Sequence, residues 1–185
     1  MSRLTAVLFA LCLCTSAVAG EVGGIRLDDK VSVGGHELVL NGAGIRTKLM
    51  FKIYVAGLYL PQKAGDLAAV LAKGPRRVQM SLLRNLTADE LVGAFVDGLN
   101  ANNSPAEMAT VKTQTDQLVA IMKAFKDVKE KDVVTLDFAD GGTTIVFNGE
   151  ARGTIPGAAF NAALMRIWLG DKPAQADLKK AMLGG

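Results

Sequence analysis

Few side chains in this 185-residue sequence have the type and spacing to do chemistry. Arg46 stands just ahead of an apolar segment, Lys52-Ile53-Tyr54-Val55-Ala56-Gly57-Leu58-Tyr59-Leu60, and Tyr54 follows it by eight residues. A guanidinium keeps its proton at any physiological pH, so beside apolar neighbours it must reach water or face an anion. A carboxylate or phenolate ligand would meet that demand. The Tyr54 hydroxyl shares the strand parity of Arg46, unless a loop or bulge intervenes, and would donate a second hydrogen bond to the same oxyanion. Spacing alone favours the plainer reading, a solvated strand-end charge beside an ordinary sheet tyrosine.

Other reactive constellations do not assemble. His36 is the single histidine and sits in a Gly34-Gly35-His36 turn, so there is no histidine pair for zinc and no Ser-His-acid set. It reads as a turn residue. Gly42-Ala43-Gly44 precedes a strand and lacks the lysine or third glycine of a nucleotide loop. Asp137, Asp140 and Glu150 flank a hairpin and read as solvated turn acids. No metal and no cofactor is expected.

The first nineteen residues read as a secretory leader. Met1-Ser2-Arg3 gives a basic start, Leu4 to Cys14 an apolar run, and Ala17-Val18-Ala19 a small-residue cleavage site. The run is shorter than the ~18 residues that a membrane-spanning helix needs, and no later segment reaches that length, so no stable membrane anchor is expected. Cys12 and Cys14 both fall in the leader, each preceded by leucine, which disfavours lipid attachment. The expected mature chain, residues 20–185, would therefore fold as one domain without cysteine, in a periplasmic or secreted setting. Losing Arg3 and no acid lowers the formal charge from +3 to +2. With its basic residues scattered, the chain lacks the footprint of a nucleic-acid binder.

The elements that must position Arg46 and Tyr54 follow from periodicity and punctuation. Ile25 to Leu40 reads as a hairpin turning at Gly34-Gly35, and Thr47 to Leu60 as a long central strand apolar on both faces beyond Lys52. Asp66 starts a short helix that stops at Gly74-Pro75, and Val78, Met80 and Leu82 alternate as a strand. Thr87 with Glu90, and Ser104 with Glu107, form capping boxes for two successive helices. Met108, Val111, Thr115, Leu118, Met122 and Phe125 make a core stripe on the second. Val133 to Phe138 and Thr143 to Phe147 read as a hairpin whose loop is slightly longer than the tightest type. A turn at Gly153-Thr154-Ile155-Pro156 then leads to a helix over residues 157–169 and a last one from about Ala174 to Met182. This order predicts an α+β fold, with one antiparallel or mixed sheet and helices layered on one face.

Gly42-Ala43-Gly44-Ile45-Arg46 and the strand ending Gly57-Leu58-Tyr59-Leu60 resemble the opening sheet of chalcone isomerase and its relatives. Leu86-Thr87, Thr154-Ile155-Pro156, and Leu164 to Gly170 followed by Asp177-Leu178 fit the same family in order, over nearly the whole expected mature chain. The resemblance implies an open-faced β-sandwich. In the plant enzymes it implies addition of a phenolate to an enone, assisted by an arginine and several polar groups. Of these only the arginine is kept, as Arg46. The strand threonine falls on Tyr54, the helix tyrosine, lysine and asparagine on Leu91, Ala94 and Gly98, and the late threonine near Ile167.

The family's non-enzymatic relatives are similar to fatty-acid-binding proteins, whose arginine and tyrosine hold a carboxylate. That implies Arg46 and Tyr54 as ligand-binding residues, Leu91, Ala94 and Ile167 as cleft lining, and a small amphipathic carboxylate such as a fatty acid as partner. Two alternatives stand beside it. One is an isomerase or intramolecular lyase acting on an enone or phenolic substrate with Arg46 as electrophile. The other is a ligand-free scaffold that works through a protein partner.

Overall fold

The computed structural model describes residues 20–72 and 74–185, and the expected leader lies outside them. Two short strands, β1 (Glu21–Val22) and β2 (Ile25–Arg26), pair with each other. The main sheet holds β3 (Lys30–Val33), β4 (His36–Lys48), β5 (Phe51–Leu60), β6 (Arg76–Leu82), β9 (Val133–Ala139), β10 (Gly142–Phe147) and β11 (Glu150–Pro156). Its order is β11-β10-β9-β6-β5-β4-β3, and every neighbouring pair is antiparallel. A minor pair, β7 (Leu86–Thr87) with β8 (Asp127–Val128), ties the chain on either side of the central helices.

The helices are α1 (Leu67–Ala72), α2 (Ala88–Asn102), α3 (Pro105–Thr110), α4 (Lys112–Lys123), α5 (Ala158–Leu169) and α6 (Ala176–Met182). The main core forms between them and one face of the sheet, where Ala56, Leu58, Met80 and Leu136 meet Leu99, Leu164 and Trp168. Helix α5 is apolar nearly all round and buries eight of its twelve residues, as a helix in the middle of a layer must. The opposite face carries a smaller cluster of Val33, Leu38 and Tyr59. The expected α+β class with helices on one face is what the chain adopts, with the sheet wholly antiparallel. Both capping boxes form.

Several elements differ from the sequence reading. The segment read as one strand from Thr47 is two: β4 runs through residues 42–44 to Lys48, turns at Leu49-Met50, and returns as β5. Gly42 and Gly44 do not precede a strand but lie within β4, at the place where α6 presses on it. A Cβ on Gly42 would lie 2.1 Å from the Ala181 carbonyl oxygen, and one on Gly44 would lie 2.8 Å from the Ala181 Cβ. The helix carrying the Met108–Phe125 stripe is broken at Val111, whose φ of −107° and ψ of 13° leave the helical region. The stripe still packs inward, because the break falls on an apolar position that is itself buried.

The β9–β10 loop is the tightest kind. Asp140 and Gly141 take positive φ of 50° and 74°, as a two-residue hairpin turn requires. Residues 153–156 extend the sheet as β11. Asp137 is not a turn acid, since β9 places it opposite Arg77 on β6.

Candidate ligand-binding site

Arg46 and Tyr54 are direct partners across the β4–β5 pair. Their relation is cross-strand, not eight residues along one strand. A register shift between Arg46 and Thr47 makes a bulge that leaves local backbone groups without ladder partners. Side chains fill that gap. Arg46 Nη1 donates to the Thr47 carbonyl at 2.7 Å, and the Thr47 N–H donates to Gln175 Oε1 at 2.8 Å. Arg46 Nη1 also lies 3.4 Å from the same Gln175 oxygen. Gln175 is the N-cap residue of α6, so the helix that needs Gly42 and Gly44 for its seat also braces the arginine.

Arg46 is half-buried, and both of its hydrogen-bond partners are neutral. Among the described residues no carboxylate lies within ion-pair distance of it. A guanidinium has five N–H donors, and the bonds formed here all leave from Nη1. Its charge is thus uncompensated by the protein, and its remaining donors are available.

Tyr54 is buried, and Trp168 Nε1 donates to its hydroxyl oxygen at 3.1 Å. With an indole N–H holding the oxygen as acceptor, the Tyr54 O–H keeps its own proton to donate. Burial pushes the Tyr54 phenol above its ordinary value of 10.0; the Trp168 hydrogen bond and the charge of Arg46 oppose this without prevailing. The phenol is therefore neutral at physiological pH, in the protonation state that donates to an oxyanion.

These two groups border a cleft of about 580 Å³ between the sheet, α2 and α5. That volume falls in the range of small-molecule sites. Leu91, Ala94 and Gly98 line it from one face of α2, and Ile167 and Trp168 from α5. Gly98 has a packing role too: a Cβ there would meet Ile167 Cγ2 at 2.8 Å, so glycine lets α2 and α5 close the far wall. Phe95 and Trp168 meet edge to face, with ring centroids 5.6 Å apart, and this fixes the indole that orients Tyr54. Charged groups gather toward the mouth, with Lys48, Arg84 and Lys172 against Glu90 and Asp97. The buried and half-buried part of the lining is apolar apart from Arg46, Tyr54 and the Trp168 N–H.

All five residues singled out in the sequence, Arg46, Tyr54, Leu91, Ala94 and Ile167, border this one cleft. Sequence reasoning missed Trp168 and Gln175. Trp168 is the chain's single tryptophan, and a buried indole N–H needs an acceptor, so a partner could have been sought among the polar residues of the sheet. Nothing local marks Gln175, whose role arises only when α6 docks on the bulge. His36 opens β4 as an exposed residue away from the cleft. Among the described residues no cluster of histidine, cysteine or acidic side chains suited to a metal occurs.

A family model described as chalcone isomerase-like matches residues 19–184. No curated protein matches the chain significantly. Among solved structures, the fold is similar to that of AtFAP1, a fatty-acid binding protein of Arabidopsis thaliana, with a TM-score of 0.66. The likeness covers 86% of this chain and 92% of that one at 11% identity, which is a likeness of fold.

Proposed function

Because the chain belongs to the chalcone isomerase-like family, we propose that it binds a small amphipathic carboxylate, such as a fatty acid, and leaves it chemically unchanged. The observation that carries this reading is the pairing of Arg46 with Tyr54 at the polar end of an apolar cleft. One group is a cation without an acid of its own, and the other is a neutral phenol with a proton to donate. A carboxylate bound there would take a charge-assisted bond from the arginine and a second from the hydroxyl. Its tail would lie along Leu91, Ala94 and Ile167, where apolar contact stabilises by roughly 25 cal/mol per Å² removed from water. The fold likeness to a fatty-acid binding protein supports the same ligand class.

The test is native mass spectrometry of protein expressed with its leader, comparing wild type with Arg46→Ala and Tyr54→Phe. Wild type is expected to carry small acids that Arg46→Ala loses and Tyr54→Phe retains in part. An Arg46→Ala protein that keeps the same acids would overturn the assignment. The export reading belongs to the same proposal: a mature chain isolated from the periplasm or medium is expected to begin at Gly20. Recovery of residues 1–19 on all of the protein would remove it.

The retained arginine favours one second reading, an isomerase or lyase that uses Arg46 as electrophile. Turnover of a chalcone or another enone above the buffer rate, abolished in Arg46→Ala, would establish it.

A further inference from the structure

At the other end of the strands from Arg46, a separate cavity of about 390 Å³ opens between the sheet, α1 and the start of α5. Arg76, the first residue of β6, borders it and is only 8% exposed. No carboxylate of the described residues lies within ion-pair distance of it, and its buried Nε has no hydrogen-bond partner. The guanidinium rests on the Phe138 ring, 5.0 Å from the centroid. A ring face offsets part of the charge but supplies no acceptor for N–H donors.

The second positive source is α5 itself. This twelve-residue helix begins at the cavity with Ala158, and its N-cap, Gly157, has no side chain to cap it. The first-turn N–H groups of a helix lack intrahelical acceptors, and the aligned peptide dipoles place partial positive charge there. Helix starts attract anions, so a buried arginine beneath one, with no acid between, is the reverse of what a closed core would hold. Asp140 also borders the cavity, but it lies exposed on the β9–β10 turn and makes no ion pair with Arg76. Asn161 is already engaged, accepting from Thr143 and donating to the Gly142 carbonyl.

We infer that this cavity is a second binding site, selective for a small oxyanion, a carboxylate or a phosphate, held between the Arg76 guanidinium and the N-terminus of α5. The inference does not depend on the Arg46 cleft. Burial, which lowers the affinity of Arg76 for its proton, acts in the same direction as the geometry by penalising the uncompensated charge.

Calorimetric titration with inorganic phosphate and, separately, with acetate tests it. Saturable binding of one or both is expected in wild type and in Arg46→Ala, with affinity falling about tenfold or more in Arg76→Met. Arg76→Lys serves if the methionine variant fails to fold, and it should weaken binding by losing the forked geometry. A response to phosphate alone marks a phosphate site, and one to acetate a carboxylate site. No saturable binding of either anion to wild type, or equal binding to the Arg76 variants, would refute the inference.

A different observation carries a second proposal. Leu49, Met50 and Phe51 are consecutive and 89%, 87% and 54% exposed, and they are the exposed large hydrophobics of the described residues. They form the tip of the β4–β5 hairpin, where glycine or asparagine is the usual choice, and Leu49 takes a φ of 56° that a leucine resists. Lys48 and Lys52 flank the tip, and Arg84 lies over the Phe51 ring at 4.8 Å. Glu90, which feels the charges of Arg84 and Lys48, already caps α2 by accepting from the Thr87 N–H.

We propose that this tip docks on an anionic lipid bilayer, inserting the three apolar side chains while the three cations meet headgroup phosphates. Flotation with phosphatidylcholine vesicles, with and without phosphatidylglycerol, tests it. Wild type is expected to float with the anionic vesicles and to be released by salt, and a Leu49→Asn/Met50→Asn variant should float about tenfold less. Absence of wild-type flotation, or flotation unchanged in the variant, would refute it. So would a dimer that the variant abolishes in place of vesicle binding.

Discussion

Adjacent arginines on β6 meet opposite fates on the two faces of the sheet. Arg77 points to the face of the smaller cluster and grips Asp137 on β9 through Nε and Nη2, at 2.5 and 2.6 Å. Arg76 points beneath the helices and has no such partner. Arg46, on the helix side at the far end, is likewise without an acid. For Arg77 the fold supplies a carboxylate at the facing register position of the next strand. The two arginines under the helices border cavities instead, and a guest anion would complete each of them.

The contrast can be broken in order of expected effect. Gly42→Val forces a side chain into the Ala181 carbonyl, so α6 must lift from β4, at a cost of about 3 kcal/mol. Because α6 carries Gln175, the variant should also lose ligand at Arg46 while leaving anion binding at Arg76 intact. Denaturant unfolding and the two binding assays would show this, and equal loss at both sites would mean that the ends are not independent. Arg77→Met leaves Asp137 mostly buried and unpaired, and should cost about 2 kcal/mol in urea unfolding, less than a fully buried pair because both groups keep some solvent.

Alkaline titration sharpens the comparison from the tyrosine side. Burial raises the Tyr54 phenol, and it raises Tyr59 to about 12. For an acid whose folded value lies above its unfolded 10.0, the neutral form favours folding. That stabilisation is complete below pH 10 and disappears as pH climbs through the folded values. The chain has only two tyrosines, so tyrosinate absorbance at pH 10 to 11 should stay low in the native protein and appear with unfolding. Early ionisation that is lost in Tyr54→Phe would show that the Tyr54 pocket is wet.

Smaller effects follow. Thr87→Ala removes the N-cap of α2, the wall bearing Leu91 and Ala94, and should cost about 1 kcal/mol. The partner carboxylate Glu90 is held below its ordinary 4.5 by the Thr87 backbone N–H and hydroxyl. Its contribution is present above pH 4.5 and fades as pH falls through the lowered value, so acid unfolding of Glu90→Gln should be less steep. Arg76→Met should be neutral, or stabilise the ligand-free protein by about 1 kcal/mol, because it replaces a buried unpaired charge with an apolar chain of similar size. A clear loss of stability would show that the Phe138 contact already satisfies Arg76.

Much of the fold was legible because its signals are local. Thr87 with Glu90 and Ser104 with Glu107 cap helices through contacts three residues apart, and the Met108–Phe125 stripe declares its buried face by periodicity. The β4–β5 turn was not legible. Leu49-Met50 carries none of the glycine or asparagine that marks a hairpin, so the two strands read as one, and Arg46 read as a neighbour along the chain when it is a partner across it. The strand at residues 153–156 hid behind its glycine and proline, which an edge position tolerates.

The amino-acid order determined that Arg46 is permanently charged, that Tyr54 can donate, and that Leu91, Ala94 and Ile167 are too apolar to assist in proton transfer, since these are properties of side chains. Tertiary structure decided which of the charges are answered. Arg77 finds Asp137 sixty residues away, Arg76 finds only a ring, and the Tyr54 oxygen meets an indole from the last third of the chain. Compensation of a charge depends on distances of a few ångströms, and those distances are fixed only when the strands pair and α5 and α6 settle on them.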